Sequence, residues 1–271
     1  MKPIITVAIP TYNGEPWIKQ CLDSVLAQTR QDFCILISDD GSKDNTIPII
    51  KQYAAKDDRI TIQYNNRKMR NYFSLIEKCN TKYFKILCQD DWLLPDCLEK
   101  QLFLLENDPK LGLVTSPYIL CFGDKISKMK VQRISSGHHS PNKKLFRRLM
   151  LEGNIIGPPA AVTFRADVIK SFDYDDYIRY LCELVFYFDA FKKGYNFFVT
   201  DSPQVIYRIQ PKMNTFTNKY AESIINYYKK LITRDGAWGG MKFNFTTKMW
   251  LHYWQTRRML NKIVCKFLLK I

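Results

Sequence analysis

Up to about residue 110 the chain alternates between two periodicities, and that alternation constrains the fold more than any other feature. Short β-rich runs each stop at a cluster of turn residues, and a segment with apolar residues at helical spacing follows. ITVAIP (4–9) ends at Pro10-Thr11-Tyr12-Asn13-Gly14. Trp17, Ile18, Cys21, Leu22, Val25 and Leu26 then fall at helical spacing within 15–28, with Pro16 suited to a first turn. FCILIS (33–38) ends at Asp39-Asp40-Gly41-Ser42, and a helix is expected from about Asp44 to Ala55. ITIQY (60–64), a helix over 71–79 and YFKILC (83–88) complete the series, the last strand running into Asp90 and Asp91. Such alternation predicts an α/β fold, a mostly parallel, Rossmann-like sheet flanked by helices. Ligands bind these sheets outside the carboxyl ends of the strands. The loops after the first, second and fourth strands are therefore expected to share one site.

Beyond residue 110 the pattern loosens. LGLVTSPYILCF and KISKMKVQRI read as a strand and a hairpin arm, 142–152 as a short helix, and GPPAAVTF (157–164) as a rigid loop entering a strand. Residues 181–193 read as a helix and NFFVTDSPQVIYRI (196–209) as two short strands, whereas His138 and His139 read as solvated loop residues. Residues 1–217 are expected to form one domain, with halves of about 1–110 and 111–217, followed by a helical tail over 218–271.

The net charge of +15 is unevenly placed: residues 219–271 hold eleven Lys and Arg against two acids. That excess implies an anionic partner, whether nucleic acid, a membrane surface or a phosphorylated substrate. The eight cysteines form no C-x-x-C pair and no metal-finger spacing, and read as reduced thiols of a cytosolic protein. No run of 18 apolar residues exists to span a bilayer, and MKPIITVAIP reads as a first strand rather than a signal peptide.

The two carboxylate pairs carry the chemical argument. Asp39-Asp40-Gly41-Ser42 by itself reads as a turn, and Asp90-Asp91 by itself as a cap for the helix opening near Pro95. Yet both pairs fall at the same end of the same expected sheet. Adjacent carboxylates at the end of a buried strand repel each other and resist desolvation. A divalent cation bridging carboxylate to phosphate oxygens would explain the second pair.

Together VAIPTYNGEPWIKQCLDSVLAQT, ISDDGSKDNT and ILCQDDWLLPDCLE resemble the inverting family-2 glycosyltransferases, which have the A-type glycosyltransferase fold. The resemblance covers roughly residues 3–210 and implies transfer of a sugar from a nucleotide-sugar donor, expected to be a UDP-sugar, to an acceptor hydroxyl. It puts Thr11, Tyr12 and Asp40 at the nucleobase, with Pro10 and Asp39 beside them. A carboxylate can accept the ring N–H there while a Tyr ring stacks on the base. It makes Asp91 the ligand of a divalent cation (Mn²⁺ or Mg²⁺) and sets Asp90 by the ribose and sugar, with Cys88 where the family often has a first Asp. Arg70 matches a basic residue facing the nucleotide, and Arg208 is a candidate for the diphosphate. The general base maps onto Glu183, eleven positions before Gly194, with Cys182 where a second acid is common. Gly157 and Pro158 match the acceptor-side loop. The processive-synthase motif Q-x-x-R-W is missing, so one transfer per encounter is expected.

Two other classes compete. Nucleotidyl transfer shares the sheet and the carboxylates but usually opens with a Gly-rich basic loop after the first strand, which PTYNGEP lacks. Nucleic-acid binding conflicts with acids gathered at strand ends, where phosphates would be repelled, so no nucleic-acid partner is expected. In the tail, Trp250, Tyr253, Trp254 and Phe267 fall largely on one helical side, beside a ladder of Arg258, Lys262, Lys266 and Lys270. This pattern fits an anchor on an anionic membrane surface, on the inner face from the cytoplasm, presenting the site to a glycan or lipid-linked acceptor. An amphipathic helix packed on the protein itself is the alternative.

Overall fold

A computed structural model of the chain describes residues 2–65, 71–170 and 182–210. The chain divides into two compact units: Met1–Asp173 with Glu183–Arg208, and Tyr174–Cys182 with Ile209–Ile271. The domain boundary expected near residue 217 and the tail lie outside the described residues, so the architecture below is that of the first unit.

The first half runs β1 (Ile5–Thr11), α1 (Ile18–Leu26), β2 (Phe33–Asp39), α2 (Thr46–Ala54), β3 (Ile60–Tyr64), α3 (Asn71–Glu77), β4 (Tyr83–Ile86), β5 (Trp92–Leu93) and α4 (Cys97–Asn107). The second half adds β6 (Leu111–Thr115), β7 (Tyr118–Phe122), β8 (Lys125–Val131), β9 (Gly137–His139), α5 (Lys143–Glu152), a 3₁₀ turn (Pro159–Ala161) and β10 (Val162–Arg165). It ends with α6 (Ala166–Lys170), α7 (Cys182–Lys192), β11 (Asn196–Val199) and β12 (Val205–Ile209). One sheet has the order β3-β2-β1-β4-β10-β6-β11-β9, and a smaller one the order β5-β12-β7-β8. β3, β2, β1 and β4 are mutually parallel, as are β6 and β11, whereas β10 runs antiparallel between β4 and β6. The expected mostly parallel sheet is therefore present, with β10 and β9 as its inverted strands.

β4 is buried at every position and β1 and β2 nearly so, which explains why they read as continuous apolar runs rather than alternating ones. α1 lays Ile18, Cys21, Leu22 and Val25 into the same core cluster as Ile5, Val7 and Ile9 of β1. Each such large apolar side chain contributes roughly 1.5–3 kcal/mol on burial. One charge is enclosed with them. Lys85, in the middle of β4, is fully buried, and its Nζ lies 3.1 Å from Gln101 Oε1, 3.4 Å from Val162 O and 3.5 Å from Thr163 Oγ1. Burial lowers its pKa from the ordinary lysine value.

Two readings from sequence need correction. His138 and His139 do not lie in a loop but in β9, an edge strand paired antiparallel with β11, where His138 stays exposed. The His139 ring stacks on Phe197 at 5.0 Å, and His138 Nε2 lies 3.3 Å from Asp108 Oδ2. Three residues are too few to show a period of two, and the partner strand comes some 60 residues later. The helix-cap reading of Asp90-Asp91 also fails. α4 starts only at Cys97, and its Leu98 N–H donates to Gln28 Oε1 at 3.0 Å.

Candidate active site

The carboxyl ends of β1, β2 and β4 open on one edge of the large sheet. Because β2 lies on one side of β1 and β4 on the other, the chain reverses its winding direction at β1/β4. That is where a doubly wound sheet leaves a crevice for ligand.

The loops after β1 and β2 are tied together by side chains. Asn13 N–H donates to Ser42 Oγ (2.8 Å), and Lys43 N–H donates back to Asn13 Oδ1 (2.9 Å). Gly14 N–H donates to Thr46 Oγ1 at 2.7 Å, and Glu15 accepts from both the backbone and the side-chain amide of Asn45. Asp39 is the hub: its Oδ1 accepts the N–H groups of Gly41 and Ser42, both at 2.8 Å, and its Oδ2 accepts the hydroxyls of Thr11 and Ser42. Asp39 and Thr11 are both buried, so the pair holds the loops in place. Pro10, opposite Ser38 in the ladder, leads into this hub. Asp40 is held outside it. Its N–H donates to Thr11 O (2.9 Å), and its carboxylate accepts Asn65 Nδ2 at 2.6 Å. Tyr12 and Tyr64 are 49% and 61% exposed, leaving aromatic faces open to solvent on the β1 loop and at the end of β3.

Gln89 joins the β1 loop to the β4 loop. Its side-chain amide pairs with the backbone of Tyr12, Oε1 accepting the N–H at 2.9 Å and Nε2 donating to the carbonyl at 3.0 Å. A Cβ on Gly14 would collide with the Gln89 amide, which would have to shift away to make room. Sequence reading missed Gln89 because a neutral amide beside two carboxylates carries no charge or spacing signal of its own.

Beyond Gln89 the chain turns, Asp91 N–H donating to Cys88 O at 3.0 Å. Cys88 Sγ and one carboxylate oxygen each of Asp90 and Asp91 lie within 4.8 Å of one another. Asp91 is only 1% exposed; its Oδ1 accepts the Arg208 N–H at 2.9 Å, and its Oδ2 is buried with no hydrogen-bond partner. Burial first, and the neighbouring Asp90 charge second, push the Asp91 carboxyl well above the usual carboxylate range, against the opposing pull of Arg208. Burial and the same two carboxylates push up the Cys88 and Cys21 thiols. The Arg208 guanidinium is itself buried. Its Nε donates to Asp90 O (3.2 Å), Nη1 to Gly123 O and Nη2 to Gln20 Oε1 (2.9 Å), and its plane lies 5.0 Å from the Trp92 ring. Arg208 thus braces the Asp90-Asp91 turn from β12, a contact spanning more than a hundred residues that no local pattern announces.

Gly157, with φ +141°, adopts a conformation that side chains rarely take, and its carbonyl accepts from Tyr187 Oη (3.0 Å) and Asn154 Nδ2 (2.6 Å). Pro158 follows and caps the 3₁₀ turn that feeds β10. Since β10 is inverted, this loop reaches the sheet edge at which its neighbours' carboxyl ends open. Glu183 is the second residue of α7, and its side chain lies outside what is described. α7 stops where expected: Gly194 has φ +81°, its N–H donates to Phe191 O, and Tyr195 N–H donates to Ala190 O at 3.0 Å. That is a Schellman terminus, which favours glycine. Arg70 lies outside the described residues.

A divalent cation fits the residues at the β4 end, because an otherwise orphaned, buried carboxylate oxygen sits beside two more donor groups. Comparison with known proteins bears on the family and the fold. The chain is 27% identical over 239 residues to an uncharacterized glycosyltransferase of Methanocaldococcus jannaschii, covering 84% of this chain and 78% of that one. It is 35% identical over 110 residues to the putative teichuronic acid biosynthesis glycosyltransferase TuaG of Bacillus subtilis, covering 39% and 44%. In fold it is similar to S. aureus TarS in complex with UDP-GlcNAc, at 14% identity and TM-score 0.67, covering 87% of this chain and 68% of that one. It is likewise similar to the mannosyltransferase PcManGT of Pyrobaculum calidifontis in complex with GDP-Man and Mn²⁺, at 16% identity and TM-score 0.59, covering 86% and 65%. Residues 6–172, which carry both carboxylate pairs and the stitched loops, match the family model for Glycosyl transferase family 2, and the chain belongs to that family.

Proposed function

We propose that this glycosyltransferase moves a sugar from a UDP-sugar to a hydroxyl of a polysaccharide or lipid-linked acceptor in cell-surface glycan synthesis, with inversion at the anomeric carbon. The observation that carries the donor half is the unpartnered, buried Asp91 Oδ2 at the strand-end crevice, with Asp90 and Cys88 beside it. TarS bound to UDP-GlcNAc and the teichuronic acid relative TuaG support a uridine donor and a surface polysaccharide.

In this reading Asp40 accepts the ring N–H of the base and Tyr12 stacks on it, while Thr11, Asp39 and Pro10 hold that loop. Asp91 ligates the cation, and Asp90 lies by the ribose and sugar. When bound, a divalent cation stabilises charge on the departing diphosphate. Arg208 keeps the Asp90-Asp91 turn in register and adds positive charge behind it, and Arg70 faces the nucleotide. Gly157 and Pro158 shape the acceptor side, where Glu183 removes the hydroxyl proton, typically worth about 10²–10⁴ in rate. Among the described residues no helix is long and apolar enough to cross a membrane. Membrane contact is assigned, on its sequence pattern, to the basic, aromatic tail, which would dock reversibly on the inner face.

Donor hydrolysis and transfer across a panel of nucleotide-sugars, with Mn²⁺, Mg²⁺ or excess chelator, tests the reading. Turnover of a UDP-sugar that chelator abolishes is expected; full activity in chelator removes the cation. Glu183→Gln should lose transfer yet bind UDP normally by calorimetry, and normal turnover by that variant would reassign the base. Sedimentation with anionic liposomes at low salt should separate the full chain from one ending near residue 245.

A further inference from the structure

Within the β4 turn the cysteine has a consequence that the carboxylates alone do not carry. Among the described residues one group of three His, Cys, Asp or Glu side chains could close on a metal ion, and one of its three members is Cys88. The turn that folds Asp91 N–H back onto Cys88 O at 3.0 Å brings residues 88, 90 and 91 together. Independently, one of the three, Asp91, has a buried carboxylate oxygen with no hydrogen-bond partner. Among the described residues the sulfur's hydrogen-bond partner is the Tyr72 hydroxyl at 3.4 Å, a weak contact that a metal bond could replace.

We propose that Cys88 is a ligand of the cation, so that the site is a mixed sulfur–oxygen centre that ranks Zn²⁺ and Cd²⁺ above Mn²⁺, and Mn²⁺ above Mg²⁺. The inference rests on the reading that the Asp90-Asp91 turn holds a cation. Mg²⁺ takes oxygen ligands and dehydrates reluctantly, whereas thiolate sulfur selects softer ions. On binding, the S–H bond breaks, its proton passes to solvent, and the sulfur lone pair forms the bond to the metal. No electron is transferred and no further reactant is needed.

Cadmium reports the bond directly, because a thiolate–cadmium bond adds a charge-transfer absorption in the ultraviolet that carboxylate ligands do not produce. The full chain with UDP present should be titrated with Cd²⁺ by absorption and with Mn²⁺ by calorimetry, as wild type, Cys88→Ser and Cys88→Asp. The expected result is a band in wild type that both variants lack, with Mn²⁺ binding kept in Cys88→Asp. The ratio of Cd²⁺ to Mn²⁺ affinity should then fall by roughly 10–100-fold, the scale on which even outer partners of metal ligands act. A band of equal strength in wild type and both variants would come from other cysteines and overturns the proposal. Mn²⁺ binding to wild type without any Cys88-dependent band overturns it while leaving the cation reading intact. Failure of both ions to bind wild type removes the cation reading itself. Should the variants fail to fold, alkylation of wild-type Cys88 followed by peptide mass must be blocked by Cd²⁺; unprotected labelling sinks the idea.

Discussion

The two Asp-Asp pairs share one dipeptide and one edge of the sheet, yet they are wired in opposite senses. In Asp39-Asp40 the first carboxylate is buried and satisfied from within, accepting two backbone N–H groups and two hydroxyls. In Asp90-Asp91 the second is buried and half satisfied, one oxygen taking the Arg208 N–H and the other taking nothing. Hydrogen bonds to a charged group contribute about 1.5–3 kcal/mol each, enough in number to offset the burial of Asp39. One bond next to a like charge does not do the same for Asp91, whose carboxyl is pushed up in pKa instead. The first pair is architecture completed inside the chain. On the proposed reading the second is completed from outside, by a cation.

The largest effect should separate activity from stability. Asp91→Asn removes a buried charge and keeps the shape, so transfer should fall by roughly 10²–10³ while the melting temperature holds or rises. Initial rates beside thermal melts read both, and a variant that keeps transfer while melting well below wild type would erase the contrast. Asp39→Ala should do the reverse. It strands the Gly41 and Ser42 N–H groups and two hydroxyls, at about 3 kcal/mol of folding stability in denaturant titration. A variant as stable as wild type would show that the hub is dispensable.

The Gln89 bridge between the pairs predicts a smaller loss. Gly14→Ala must push the Gln89 amide off the Tyr12 backbone, and UDP affinity by calorimetry should drop about tenfold, or 1.4 kcal/mol. Gln89→Ala should reproduce that drop, and if it binds UDP normally the bridge is not what the glycine protects. Lys85 extends the comparison to a buried positive charge and gives the smallest effect. Its pKa is lowered in the folded state, so between that value and the ordinary ~10.4 the unfolded chain holds the extra proton. Stability should therefore rise with pH through that window and level off above it. Lys85→Met should lack this slope when denaturant midpoints are compared between neutral pH and about pH 10.

Much of this was legible in the chain, for identifiable reasons. β1, β2 and β4 announce themselves because buried parallel strands are unbroken apolar runs that end at turn residues, and Gly194 marks the end of α7 because a left-handed terminus favours glycine. What stayed hidden is non-local. β9 exists only through its pairing with Phe197–Val199, and the partner of Asp91 comes from Arg208. That Asp39 is saturated and Asp91 is not cannot be read from two identical dipeptides, because the difference lies in what surrounds each.

Lys85 also matters in time. On the ribosome β1, β2, β3 and β4 are finished long before Val162–Arg165 emerges to cover β4, a wait of several seconds at roughly 5–20 residues per second. For that interval β4 is the open edge of a nascent sheet, an apolar strand able to template pairing with a neighbouring chain. A charge in mid-strand is one way an edge is kept from doing so. On this reading Lys85 guards the half-made protein, and the arrival of β10 then closes Gln101, Thr163 and the Val162 carbonyl around it. Lys85→Met chains refolded at rising concentration should aggregate sooner than wild type, even where the finished variant is the more stable protein.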